Sequence, residues 1–297
     1  MVKFSAIFLL VSIALPEAEV LAEEVQFDDT LVCGEAMAAP VPGTSATITS
    51  LSSTSLSSDG LQPGWDEFLN VSFHLIEDRI HSGASLVIAT RMPFDDTPGA
   101  LRNPGCFSRS KNYVMLAEGL LEFAFLQARP ERSASAIGVT FHELGHAFQQ
   151  RKAPKSMGDG SIEDYLYAKS DQGIELFSDY FAGFMFLFWR RYVEDHLNIK
   201  NPLYHDLLVN LASFDNFRFT FRYFGCYQAA RSIHGDYRQR HDAFVLGALD
   251  AEKVGVRSLD DVTDDDLDAM VMSGAVAVLR ISTQPHAKSA GNSCMPK

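Results

Sequence analysis

Residues 139–150, "VTFHELGHAFQQ", decide how this chain is read. They place His142 and His146 four apart, with Glu143 directly after the first. Val139, Phe141, Leu144 and Phe148 give the stretch an apolar, helical context. On a helix, residues four apart lie about 40° apart around the axis and one turn along it. Both imidazoles therefore leave the same face and can grip one metal ion. Glu143 is offset by about 100° and can reach a water on that ion without taking a coordination position. A zinc ion lowers the pKa of such a water to about 7, and a carboxylate beside it can accept the proton. A pattern this short arises by chance in about one chain in a hundred of this length, so its context must decide. Gly145 is part of that context: it costs a helix up to about 1 kcal/mol against Ala, which predicts close approach by another segment.

Two histidines need a third ligand. A metzincin would carry Gly at 149 and His at 152; Gln149 and Lys152 exclude that class. Gluzincins take a Glu from a later helix, and "GIELFSDYFAGF" (173–184) supplies Glu175 and, four residues on, Asp179. Glu175 can bind the metal. Asp179 can accept the other ring N–H of a ligand histidine and fix its tautomer. Two acids in an otherwise apolar helix are costly to bury without such partners. A hydrolase of this kind also needs a group to stabilise the tetrahedral oxyanion. His234, before Gly235 at a helix start, is the candidate, with Tyr165 and Tyr223 as alternatives; a capping or surface histidine is the plain reading of His234. The remaining histidines stand in no motif.

"HELGHAFQQ" with "ELFSDYFAGF" resembles the YpfJ-like neutral zinc metallopeptidases of bacteria, whose second block follows E-L-x-A-D-x-x-A-G. Ser178 stands where that pattern has Ala. "HGDYRQRHDAFVLGALDA" (234–251) resembles a third block, H-G-[ST]-x-x-Q-R, through His234, Gly235, Gln239 and Arg240, then Phe244 and Gly247; Asp236 and His241 depart from it. The likeness covers residues 100 to 250 in patches, and its first two blocks are the specific ones. It implies a zincin-like, gluzincin-type fold, with zinc held by His142, His146 and Glu175 and Glu143 as the general base.

The rest of the chain is compatible with this. Hydrophobic residues make up 46% and charged residues 21% of 297, as in ordinary globular proteins. A net charge of −13 repels nucleic acid and anionic membranes and sets those partners aside; it would suit a basic peptide, but a solubilising surface is the plainer reading, and the expected peptide or protein substrate follows from the metallopeptidase resemblance. Residues 1–22 read as a signal peptide, with Lys3, an apolar run from Phe4 to Leu15 and cleavage after Ala22, which predicts a secreted or periplasmic protein. No later run reaches the 18 or so apolar residues of a membrane span. Residues 23–62, rich in Ser, Thr, Pro and Gly from 38 onward, read as a flexible linker, 63–282 as the zincin-like domain and 283–297 as a loose tail. In an exported chain Cys33, Cys106, Cys226 and Cys294 suggest up to two disulfides in one of three pairings, with 33–294 and 106–226 preferred; free buried thiols are the alternative.

Periodicity predicts helices over 65–80, 118–129, from Ser133 or Ser135 to about 152, 161–169, 173–196, 203–213, 217–230, 236–252 and from Thr263 onward. Strands are expected at 85–90 and 112–116, the second as an edge strand able to pair with an extended peptide. The fold class is therefore α+β, mostly helical with a small sheet. Acids at 264–266 fit a helix start better than a calcium loop, since the Gly and distal Glu of an EF-hand are missing. No G-x-S-x-G or catalytic cysteine motif competes with the metal reading. The rival readings are a non-catalytic zinc-stabilised scaffold of the cell envelope, which leaves Glu143 without a purpose, and an enzyme acting on a non-peptide amide.

Overall fold

The computed structural model describes residues 48–50, 65–89, 105–117, 120–121, 130–192, 194–195, 215–216, 220–221, 234–255 and 258–285. The architecture is α+β and mostly helical. Four strands, β1 (Ile48–Ser50), β2 (Ser85–Ala89), β3 (Gly105–Ser108) and β4 (Tyr113–Ala117), form one sheet in the order β1-β2-β4-β3. β2 and β4 run parallel, while β1 and β3 pair antiparallel with β2 and β4. Among the described residues six α-helices accompany it: α1 (Trp65–Ile80), α2 (Pro130–Gln149), α3 (Ile162–Tyr167), α4 (Gly173–Tyr192), α5 (Tyr237–Val254) and α6 (Asp264–Ser282).

α4 is the centre of the molecule. Its sequence is apolar on almost every face, and such a helix must be wrapped by others. Phe177, Phe181, Phe184, Phe186, Phe188 and Trp189 are all fully buried. Trp189 meets Phe68 of α1 and Phe141 of α2 edge-on and donates its indole N–H to Ser72 of α1 at 3.0 Å. Glycines let the wrapping helices come close. A Cβ at Gly183 would coincide with the Phe244 carbonyl of α5, and one at Gly247 with the Tyr180 carbonyl of α4. Gly274 of α6 accommodates the Tyr180 ring in the same way. α2 meets α4 at Gly145, where a Cβ would lie 2.8 Å from Ser178 Cα. The close approach expected from Gly145 is thus present, and it is made by the helix that carries Glu175.

Several boundaries differ from the sequence expectation. α2 starts at Pro130, not at Ser133 or Ser135, because Pro suits the first helical position, where no intrahelical N–H is needed; Ser135 lies buried inside the helix. β3 was not foreseen. It occupies the sheet end, so the expected edge strand at 112–116 is corrected: β4 is paired on both sides, by β2 and β3. Ile48–Ser50, inside the expected linker, pairs with β2; its β-branched residues suit a strand. The capping arrangement of Thr263 with Asp266 is present as a reciprocal box, and Ser161–Asp164 and Asp236–Gln239 form two more. The expected helices at 203–213, most of 118–129 and most of 217–230, the signal peptide, most of the linker and Cys33, Cys226 and Cys294 lie outside the described residues. Cys106 is disulfide-bonded. No helix among the described residues is long and apolar enough to cross a membrane.

Candidate metal centre

α2 presents His142 and His146 on the face turned toward α4. Their rings stand nearly perpendicular, 88° apart in plane, with the two Nε2 atoms 3.2 Å from each other. Glu175, in the first turn of α4, brings Oε2 to 3.2 Å from His142 Nε2 and 3.5 Å from His146 Nε2. That oxygen is buried and has no hydrogen-bond partner. A buried carboxylate oxygen is not left orphaned without cost. Donors bound at about 2.0–2.1 Å to a tetrahedral ion lie roughly 3.3 Å apart. The three measured separations match that edge length, and all three donor atoms lie within 4.8 Å of one another. His142, His146 and Glu175 can therefore hold a metal ion.

Both histidines are held from behind. His142 Nδ1 lies 2.8 Å from Asp179 Oδ1, as expected of Asp179. Asp179 is gripped in turn by Arg240 of α5, whose Nε and Nη2 donate to its two oxygens, each at 2.8 Å. The Asp236–Gln239 capping box anchors the turn that delivers Arg240, and Gln239 also donates to the Ile281 carbonyl of α6 at 3.2 Å. His146 Nδ1 lies 3.1 Å from Ser178 Oγ. Gln149 Nε2 donates to that hydroxyl at 2.9 Å and to the Ile174 carbonyl at 2.8 Å.

The electrostatics follow from this packing. Burial disfavours a charged His142 ring, but Asp179 and then Glu175 outweigh it and push its pKa up to about 10. A cation at the Nε2 side competes for the place of that proton. Burial also works against the Glu175 carboxylate, yet His146, His234 and His142 hold its pKa well below the usual range. Asp179 is likewise held low against burial, by Arg240 first and His142 next. Glu143 goes the other way: buried beside the ligands but outside their group, its carboxyl is raised by desolvation.

The sequence-derived set is brought together almost whole. His234 enters from the turn before α5, with Nε2 3.7 Å from Glu175 Oε2, and burial lowers its pKa. Tyr165 sits on α3 against the core with the Lys169 ammonium over its ring, and Tyr223 lies outside the described residues. Three contributors had no role assigned from sequence: Arg240, Ser178 and Gln149. Arg240 carried a signal, as part of the third resemblance block; the other two act through contacts between helices that no local pattern announces. No family model, no curated protein and no solved structure matches this chain.

Proposed function

We propose that this chain is a zinc-dependent metallopeptidase with a zincin-like fold, of the kind its motifs resemble. The observation that carries the reading is the convergence of His142, His146 and Glu175 from two helices onto one point, with a buried, non-ligating Glu143 beside them. Two imidazoles and one carboxylate suit zinc among the common divalent ions and leave a coordination position open. Zinc, when bound, supplies Lewis-acid polarisation of the scissile carbonyl and acidifies an attacking water.

The chain's own residues do the rest. Glu143 accepts the proton of the attacking water and returns it to the leaving amine. Burial raises its carboxyl toward the working pH, where a base is most effective, while a cation at the ligands opposes that rise. Asp179, clamped by Arg240, keeps the His142 proton on Nδ1 and so turns the Nε2 lone pair toward the ion. His234 is neutral at pH 7, its pKa being lowered, and offers an N–H to the developing oxyanion. An extended peptide adds to the outer edge of β3, which has no further strand partner among the described residues. Gly105 packs β3 against Val139, one turn before His142, so the strand lies directly on the helix that carries both histidines. Export, read from residues 1–22, is supported by the Cys106 disulfide, since such bonds persist in oxidising compartments.

The test is digestion of a peptide library by the mature protein, with and without chelator, beside Glu143→Gln. The proposal predicts cleavage that chelator abolishes and zinc restores, and a Glu143→Gln protein that keeps its zinc but is at least about a hundredfold slower. Zinc bound with no cleavage of any peptide favours the scaffold reading; amide hydrolysis confined to non-peptides redirects the substrate.

A further inference from the structure

We propose that Ser178 is a positioning residue for the metal centre: its hydroxyl accepts the Nδ1–H of His146 and so leaves Nε2 with the lone pair that a metal requires. The inference rests on the metallopeptidase reading only through the ion, and not through hydrolysis.

The geometry is a small lattice between two helices. His146 and Gln149 stand about one turn apart on α2; Ile174 and Ser178 stand one turn apart on α4. The Gln149 atom 2.8 Å from the Ile174 carbonyl must be its amide nitrogen, because a carbonyl oxygen cannot donate. The same nitrogen lies 2.9 Å from Ser178 Oγ, so the amide's second hydrogen goes to the serine. Ser178 Oγ keeps one further lone pair, and His146 Nδ1 is 3.1 Å away. An imidazole that donates from Nδ1 has a bare Nε2, and His146 Nε2 is the atom that faces His142 Nε2 and Glu175 Oε2. Gln149 thus holds the serine in place, and the ring keeps Nε2 bare when the serine's own hydrogen turns away from Nδ1.

Two details make this a built arrangement. Ser178 and Gln149 are fully buried, so no solvent competes for these bonds. Ser178 also lies on Gly145, where a Cβ would stand 2.8 Å from Ser178 Cα and 3.1 Å from its Oγ. The glycine between the two ligand histidines makes room for the hydroxyl that orients the second of them. The resembled pattern has Ala at this position, which can make no such bond. The two histidines are consequently backed unequally: His142 by an anion, Asp179, and His146 by a neutral hydroxyl.

Two readouts test the assignment in full-length mature protein: zinc affinity by competition with a chromogenic chelator, and ¹⁵N-resolved imidazole N–H signals of the metal-free protein. Ser178→Ala is expected to weaken zinc binding about tenfold or more, the usual loss when an orienting partner of a metal-bound histidine is removed. It is also expected to lose the exchange-protected Nδ1–H signal of His146 while keeping that of His142. Ser72→Ala, which removes a buried hydroxyl from Trp189 far along the chain, serves as the control and is expected to change neither. Zinc affinity of Ser178→Ala within twofold of wild type, or a His146 Nδ1–H signal that persists in it, overturns the assignment. A wild-type protein that takes up no zinc sinks the metallopeptidase reading instead, and the imidazole signal alone then decides the role of Ser178.

Discussion

Replacing Gly145 by Ala separates the stability of the fold from the quality of the metal centre. The added Cβ would lie 2.8 Å from Ser178 Cα, 3.0 Å from Ser178 Cβ and 3.1 Å from its Oγ. Ordinary carbon–carbon contact begins at about 3.5 Å, so α2 and α4 must separate locally by roughly 0.7 Å. For folding, two effects oppose each other. Overpacking costs about 1–3 kcal/mol, while Ala in place of Gly returns up to about 1 kcal/mol of helix propensity. The net loss is therefore about 2 kcal/mol or less, and the protein still folds. The centre has no such offset. Its ligands are split across that interface, His142 and His146 on one side and Glu175 on the other. Metal sites tolerate only about 0.5 Å of displacement, so zinc affinity should fall by tenfold or more. Urea unfolding of the metal-free protein and chelator competition for zinc measure the two effects separately. Gly247→Ala gives the contrast: it drives a Cβ into the Tyr180 carbonyl of the α4–α5 contact, so its main loss is in unfolding free energy. Zinc affinity of Gly145→Ala within twofold of wild type refutes this account of how the helices build the site.

Other perturbations act on named contacts. Arg240→Leu leaves the fully buried Asp179 without its clamp and should cost about 3–5 kcal/mol in urea unfolding, with part regained on adding Asp179→Asn, which removes the stranded charge. Glu175→Gln should lower zinc uptake, measured by metal analysis after dialysis, to well under one ion per chain; uptake equal to wild type removes Glu175 from the ligand set. Asp250 accepts hydrogen bonds from Tyr180 Oη and Lys253 Nζ, each at 2.6 Å. Against the opposing effect of burial, Lys253, Tyr180 and Ser273 hold its pKa below the ordinary 3.8. A lowered folded-state pKa stabilises the fold above the unfolded value, and that stabilisation disappears as pH falls through the folded one. Asp250→Asn should therefore be about 1 kcal/mol less stable than wild type at pH 6, with the gap closing as the pH drops below 3.8; a gap that widens in acid contradicts the assignment.

Much of the site was legible because its signals are local. The spacing of His142 and His146, and of Glu175 and Asp179, fixes which face of each helix they share; the 3.6-residue period marked α1, and a long stretch apolar on most faces marked α4, without any knowledge of partners. Gly145 even announced a neighbouring segment. What could not be read is which groups meet across helices. Arg240 reaches Asp179 over a separation of 61 residues, and Gln149 reaches Ser178 over 29; nothing in either local stretch names the other. The serine looked like a minor change from Ala in a pattern, whereas in the folded chain its hydroxyl touches a ligand ring. The sheet shows the same limit. The strand read at 112–116 is present one residue later, at Tyr113–Ala117, but whether a strand is central or at an edge depends on its partners, and β3, only four residues long with a Gly and a Cys, carried too weak a period to be found.

The most direct test is zinc-edge anomalous diffraction from crystals of the mature protein grown with zinc. The account predicts one strong peak per chain, about 2.0–2.2 Å from His142 Nε2, His146 Nε2 and a Glu175 carboxylate oxygen. A peak away from these three side chains, or none at full zinc loading, contradicts it.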